Sequence, residues 1–509
     1  MIPEYLIPIP EYLIPVTVLM CAAALVPLID AICRKAGFER SPGIVATAAF
    51  AIAFAYLLKE AASLPLEGSF RPFGGTSLGV ELKVDSLSVY MSLVFCGLGL
   101  AASLYSIEYM KEDTGLDRFF LLLLTLVAGM MGVVSSNDFF NLYVFWEFMA
   151  LSSYALVSFR KYTWEAVEAG FKYLVMSTLG SLAVLYGISI LYGLAGTTNF
   201  EGIRQVLAGS TSEAAYLALA LIIAGFGVTA ALVPFHTWLP DAHPAAPSSI
   251  SAMLSGVVIK TGAYAILWSL FKIFDPGEYG YGAVLMGFGA LTMTVANVMA
   301  IMQRDVKRFL AYSSIANMGY IITGLGIAAR ALGVHGDVAV ASLALLGALF
   351  HVLNHALGKG LSFLCAGCLI HEVGTRDIRE MEGIGAKMPA TAGSMAVGLL
   401  TLAGVPPLSG FWSKLFIVAA GLGIPGDPYM VLITALFIAN SVIAAAYYLW
   451  LLQRLAFKSP TERASKAKEV SAIMLAPVVA LAAMCILVTI FLGPTIRLIE
   501  YAVGVIVGG

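Results

Sequence analysis

Long apolar runs, each close to the length of a membrane crossing and each bounded by polar, glycine or proline residues, follow one another along the whole chain. A helix that crosses a bilayer needs about 20 mostly apolar residues. The runs are too long and too continuous for barrel strands, so helices are the predicted elements. Read between polar breaks, the pattern gives fourteen spans, near 13–32, 43–59, 85–107, 119–135, 138–158, 166–193, 215–239, 248–271, 281–302, 309–329, 338–370, 390–421, 429–453 and 471–492. The fold class predicted is an all-α polytopic membrane protein.

Composition strengthens that reading. The 509 residues are 60% hydrophobic and 12% charged, with a mean hydropathy of +0.90. A soluble chain normally carries about a quarter charged residues. No polar block divides the apolar runs, which predicts one membrane domain. The net charge of -2 gives no sign of nucleic acid. Six scattered cysteines imply no disulfide framework, and the Cys365–Cys368 pair sits in the apolar run FLCAGCLI, where both read as small buried hydrophobes. The heptad IPEYLIP at 2–8 recurs at 9–15; with Glu4 and Glu11 and no basic start, it does not resemble a secretory signal.

Charge placement sets an orientation. Eighteen lysines and arginines fall in the loops after odd-numbered spans and seven on the other side. Basic loops favour the cytoplasm. Both termini are therefore expected outside, in a plasma membrane. The basic stretch RLAFKSPTERASKAKE also suits anionic lipid or a partner.

Four lysines stand out inside spans, Lys172, Lys260, Lys359 and Lys414, and Glu147 sits amid VFWEFMALSSY. Each costs about 2.5–3.5 kcal/mol at a helix centre, so each must pair, meet water or face the bundle interior. Desolvation penalises the charged form and brings proton exchange within reach. The competing reading is structural ion pairing, or snorkelling from a helix end, and Lys172 lies near the start of its span. His351, His355 and Lys359 recur every fourth residue in HVLNHALGKG, which stacks them on one helix face about 6 Å apart as steps of a proton relay. No H-E-x-x-H motif accompanies them, so metal is not expected.

Two spans are predicted to break. One contains VPFHTWLPDAHPAAP, with Pro234 and Pro240, and the other AGVPPLSGFWSKL, with Pro406 and Pro407 just before Lys414. Proline removes a backbone donor, and unwound backbone inside a membrane marks a hydrated cavity. The breaks fall in spans 7 and 12, five spans apart, which suggests two inverted five-helix repeats, spans 4–8 and 9–13. The chain then divides into residues 1–117, 118–272, 273–456 and 457–509.

The segments FWEFMALSSYALV, PFHTWLPDAHPAAPSSISAMLSGVVIKTGAYA, QRDVKRFLAYSSIANMGYI, LFHVLNHALGKGLSFLCAGCLIH and LAGVPPLSGFWSKL resemble the proton-translocating antiporter family, over roughly residues 85–455. Its members are antiporter-like subunits of respiratory complex I, membrane-bound hydrogenases and Mrp-type sodium/proton antiporters. By length and the Lys414 context the chain looks most like Mrp D-type subunits or their membrane-bound hydrogenase counterparts. The resemblance implies a mid-membrane hydrophilic axis. Glu147 then matches the helix-5 glutamate that couples to a neighbouring subunit, Lys172 the helix-6 lysine and Lys260 the central helix-8 lysine. His236 matches the histidine of broken helix 7, His351, His355 and Lys359 the helix-11 relay, and Lys414 the helix-12 residue near the exit.

One position departs. Where the family has a lysine at the start of the helix-7 motif, this chain has Thr229, in FGVTAALVPFH. The glutamate–lysine pair of the first half-channel is then missing, or rebuilt with Lys172. The resemblance implies H+, with Na+ as the alternative ion, and no cofactor in this chain. It also implies membrane subunits of one complex as partners, with iron–sulfur or hydrogenase-like peripheral subunits carrying any redox activity. The alternatives are a complex I subunit of the same family, a coupling subunit with an inactive first half-channel, and a solute transporter, which would need a substrate pocket in place of a charge row.

Overall fold

A computed structural model describes residues 11–35, 40–70, 81–209 and 211–508. The first copy of the doubled heptad and Arg71 lie outside the described residues. Twelve described helices are long and apolar enough to cross a membrane, and each coincides with one of the expected spans. The longest is Val338–Val373, span 11. The expected spans 7 and 12 are not continuous helices.

The first of these runs as a helix over Glu213–Thr229, unwinds, and restarts at Leu239–Ala245. Ala231 adopts a φ of +54°, and the Val233–Pro234 peptide is cis. The unwound backbone is satisfied from outside: Val233 N donates to Thr292 Oγ1 at 3.1 Å, and the Trp238 indole donates to Val228 O at 2.8 Å. The second runs over Pro389–Ala403 and resumes at Ser409–Leu422. Gly404, at φ +78°, supplies the left-handed residue that ends the first half, and Pro406–Pro407 is cis. Pro234, Thr237, Pro406 and Pro407 are exposed on the isolated chain.

Helices Ser86–Tyr109, Leu116–Val134, Ser248–Ile273 and Val306–His335 form the buried centre, and the last two carry Lys260 and most of its neighbours. Ile14–Cys33, Trp164–Ala195 and Pro428–Phe457 keep broad exposed apolar faces. Close packing inside rests on small residues. A Cβ on Gly319 would lie 2.6 Å from Met293 N and 2.8 Å from Gly289 O, so helices Tyr281–Ile301 and Val306–His335 meet backbone to backbone.

Two features were not expected. A small antiparallel hairpin pairs Glu67–Phe70 with Leu82–Asp85 outside the membrane spans. After span 14 the chain forms a further helix, Leu492–Val507, whose Val505 O accepts from Lys272 Nζ at 2.6 Å. Its apolar residues are interleaved with Arg497, Glu500 and glycines, so no long uniform run announced it. Cys365 and Cys368 are buried and unbonded to each other, as small core residues.

Candidate functional site

The second half of the chain carries a hydrogen-bonded row through three helices. Lys359 is fully buried; its Nζ donates to Leu310 O at 3.0 Å and to Ser313 Oγ, and lies 5.5 Å from the Tyr448 ring centroid. One helical turn on from Ser313, Asn317 donates through Nδ2 to Ser313 O at 2.6 Å and to the Tyr448 hydroxyl at 3.2 Å. Its Oδ1 meets His351 Nε2 at 3.0 Å. His351 Nδ1 meets Ser413 Oγ at 3.0 Å, and the residue after Ser413 is Lys414.

Lys414 occupies the break in the twelfth span. Its Nζ donates to Leu402 O at 3.1 Å and Ala403 O at 3.2 Å, the last carbonyls of the half-helix Pro389–Ala403, and sits 5.0 Å from the Tyr320 ring centroid. A cation is favoured there, because the C-terminal carbonyls of a helix lack intrahelical donors and carry its negative dipole end.

Lys260 joins the row from the first half. It is fully buried and donates to Ser255 O, a carbonyl within the π-turn Leu254–Val258. A π-turn shifts the hydrogen-bond register and frees carbonyls for such use. Ser255 Oγ contacts Ser314 Oγ at 2.6 Å, beside the Ser313 that receives Lys359. A small cavity lined by Met91, Lys260, Tyr264, Ile321, Leu349 and Val352 adjoins the lysine.

His351 and His355 stack as the four-residue spacing predicts, with ring centroids 6.3 Å apart and planes 10° apart. They are not bonded to one another. Both His355 ring nitrogens, Asn354 Oδ1 and Ser409 Oγ are buried without a protein partner. Buried polar atoms of this kind call for water. The hydrogen-bonded path from His351 to Lys359 runs through Asn317 and Ser313 on span 10, and not down the face of span 11.

The first half is sparser. Glu147 is half-buried, and its Oε1 meets no hydrogen-bond partner. Thr229 is buried. His236 is half-buried in the break, with Nδ1 unpartnered. Lys172 lies inside its span, in the helix Trp164–Ala195, where it is about half exposed and pairs with Glu168 at 2.8 Å and Asp241 at 3.1 Å. It stands two turns into its helix, where two carboxylates at the basic-loop face can reach it. Lys172 therefore does not rebuild a buried pair with Glu147.

Around the second half of the broken seventh span, cations from later in the chain converge. Arg308 pairs with Asp241 at 2.8 Å, Arg376 donates to Pro244 O at 2.8 Å, and Lys307 donates to Ala246 O at 2.7 Å. Arg376 also pairs with Glu165 and Asp305. On the opposite face, Arg330 and His335 contact Asp427 Oδ2 at 2.5 and 2.9 Å. Burial pushes the Asp427 carboxyl up, but hydrogen bonds from Arg330 and His335 hold it well below the usual carboxylate range.

Sequence reading missed Ser313, Asn317, Ser413 and Tyr448. The first two were detectable, as polar residues one turn apart in AYSSIANMGY, and Ser413 stands beside a predicted lysine. Tyr448 carried no signal within YYLW.

Bundled helices with two interrupted spans and a row of buried lysines define an antiporter-like membrane protein. Residues 136–444 match the family model described as NADH:quinone oxidoreductase/Mrp antiporter, TM, and residues 70–120 that of complex I chain 5 N-terminus. The chain belongs to this family of Mrp, hydrogenase and complex I membrane subunits. It is 32% identical to NADH-quinone oxidoreductase subunit N of Desulforudis audaxviator, over 91% of this chain and 89% of the relative. It is 39% identical to an Na(+)/H(+) antiporter subunit of Alkalihalophilus pseudofirmus over 66% of this chain, but spans only 42% of that protein. Among solved structures it resembles a chain of the membrane-bound sulfane sulfur reductase, an archaeal respiratory membrane complex, with a TM-score of 0.87, 29% identity, and coverage of 98% of this chain and 97% of that one.

Proposed function

We propose that this chain translocates protons, with Na+ as the alternative or counter-ion, inside a multi-subunit respiratory membrane complex. The observation that carries the reading is a row of buried amines and polar groups: Lys260 and Ser314 meet at Ser255, Lys359 and Asn317 meet at Ser313, the sequence neighbour of Ser314, and His351 bridges Asn317 to Ser413, the sequence neighbour of Lys414. Buried amines this close titrate together, so a proton gained or lost at one changes its neighbours' affinity. A driving event in a partner would bias the row, and access would alternate beside the two interrupted spans. The near-complete mutual coverage with the sulfane sulfur reductase chain supports a redox-driven host. Iron–sulfur or hydrogenase-like peripheral subunits would then carry the redox chemistry, with no cofactor in this chain, basic loops in the cytoplasm, both termini outside and two inverted five-helix repeats.

The test is the purified complex in proteoliposomes with a trapped pH-sensitive dye. Lys359→Ala and Lys414→Ala in assembled complexes should abolish driven proton movement while partner redox turnover persists. Normal proton movement in both variants would reject the reading.

A second reading concerns the first half alone. With Thr229 buried and Lys172 engaged at the surface, Glu147 has no lysine of this chain bonded to it. It then serves to couple the chain to a neighbour in the complex, in place of loading a second channel. Glu147→Gln that lowers coupling without abolishing proton movement supports this.

A further inference from the structure

On the face carrying the basic loops, Glu108, Tyr109, Glu112, Asp113, Arg160 and His371 line a polar hollow of about 350 Å³ that opens to solvent. His371 stands on the eleventh span itself, twelve residues after Lys359 and therefore about three turns along the same helix. The floor of the hollow leads inward. Tyr109 OH donates to Ser248 Oγ at 3.1 Å, and Ser248 is fully buried. Ser248 packs on Gly367, where a Cβ would come within 2.6 Å of it. Behind it, Ser249 Oγ and both ring nitrogens of His243 are buried without protein partners, and His243 stacks on Phe363 at 4.4 Å. Lys359 lies one turn beyond Phe363. The unpartnered atoms of Ser249 and His243 thus lie between the Tyr109–Ser248 pair and the helix turn that carries Phe363 and Lys359, and buried polar atoms of this kind call for water.

We propose that this hollow is a proton-loading vestibule and that the Tyr109–Ser248 hydroxyl pair is its inner gate to Lys359. The inference rests on the reading of Lys359 given above. A proton from hydronium is taken at His371. Each hydroxyl then accepts one proton and releases another, so Tyr109 and Ser248 end unchanged and the Lys359 amine gains one positive charge.

In the reconstituted complex, Tyr109→Phe keeps the ring beside Arg160 and removes only the hydroxyl. Proton movement should slow by about a hundredfold, the lower end expected for a lost proton-transfer group. His371→Ala should also slow it, and imidazole added on that face alone should restore the rate. Ser248→Ala provides the same test if Tyr109→Phe fails to assemble. Wild-type rates in assembled Tyr109→Phe or Ser248→Ala, or a slow His371→Ala indifferent to imidazole, would overturn the vestibule. Lys359→Ala, run alongside, separates the two ideas. An inactive Lys359→Ala beside a normal Tyr109→Phe removes the vestibule alone, whereas a normal Lys359→Ala removes the row itself.

Discussion

His351 is bound to Asn317 on the neighbouring helix, Nε2 to Oδ1 at 3.0 Å, and not to His355 on its own. Because Asn317 Nδ2 already donates to Ser313 O and Tyr448 OH, Oδ1 must accept, and the assigned tautomer carries its proton on Nε2. Ser413 then faces the unprotonated Nδ1.

Asn317→Leu should therefore uncouple the two ends of the row while sparing the lysines. Proton movement is expected to drop by about tenfold or more, in line with loss of a proton-transfer contact. Asn317→Asp, which keeps the acceptor, should retain more activity than Asn317→Leu in the same vesicle assay. Equal losses in the two variants would contradict the tautomer assignment.

Lys414→Met leaves Leu402 O and Ala403 O without the ammonium at the mouth of a break. An unsatisfied buried polar group costs about 1–3 kcal/mol. Thermal unfolding of the solubilised complex should begin earlier than in the wild type. An unchanged Tm would mean that water replaces the amine at no cost.

Lys172→Ala removes two exposed ion pairs, to Glu168 and Asp241, and Arg308 still holds Asp241. Exposed pairs are worth about 0–1 kcal/mol. Transport should stay near the wild-type rate, in contrast to Lys260→Ala, which removes a fully buried amine of the row. An inactive Lys172→Ala would restore this lysine to the pathway.

Asp427 links stability to pH. Its folded pKa lies below the ordinary carboxylate value, so its contribution is complete above that value and is lost as pH falls through the folded one. Thermal stability should decline below about pH 4, where an unfolded aspartate begins to protonate. Asp427→Asn should lower Tm at pH 7 and flatten that acid dependence. A variant with the wild-type acid slope would assign the effect elsewhere.

Gly319→Val places branched carbons where a single Cβ already lies 2.6 Å from Met293 N. The close helix crossing would open, and overpacking of this kind costs about 1–3 kcal/mol or more. Assembly yield, followed by native gel, is the measurement; full yield would show that the crossing gives way cheaply.

The spans were legible because a bilayer leaves apolar length as the only solution for a crossing chain, and Pro234, Pro406 and Pro407 marked the two interruptions in advance. Lys260, His351, His355, Lys359 and Lys414 were legible for the same reason: charge within an apolar run is costly enough to stand out. Ser313, Asn317 and Ser413 left a weaker trace and were passed over, since neutral polar residues are common in helices and only their neighbours reveal a role. For Lys172 the sequence left two readings open, because a window of hydropathy does not say which side of a helix faces outward. The hairpin Glu67–Phe70/Leu82–Asp85 and the helix Leu492–Val507 fell outside the periodicities that a search for twenty-residue apolar runs detects.

The two interruptions also reach the surface of the isolated chain at Pro234, Thr237, Pro406 and Pro407. Hydrocarbon cannot satisfy non-helical backbone. A molecule made in excess of its neighbours would thus be a poor resident of the bilayer and a ready substrate for membrane proteases. The stoichiometry of the assembly would be enforced by turnover as well as by affinity.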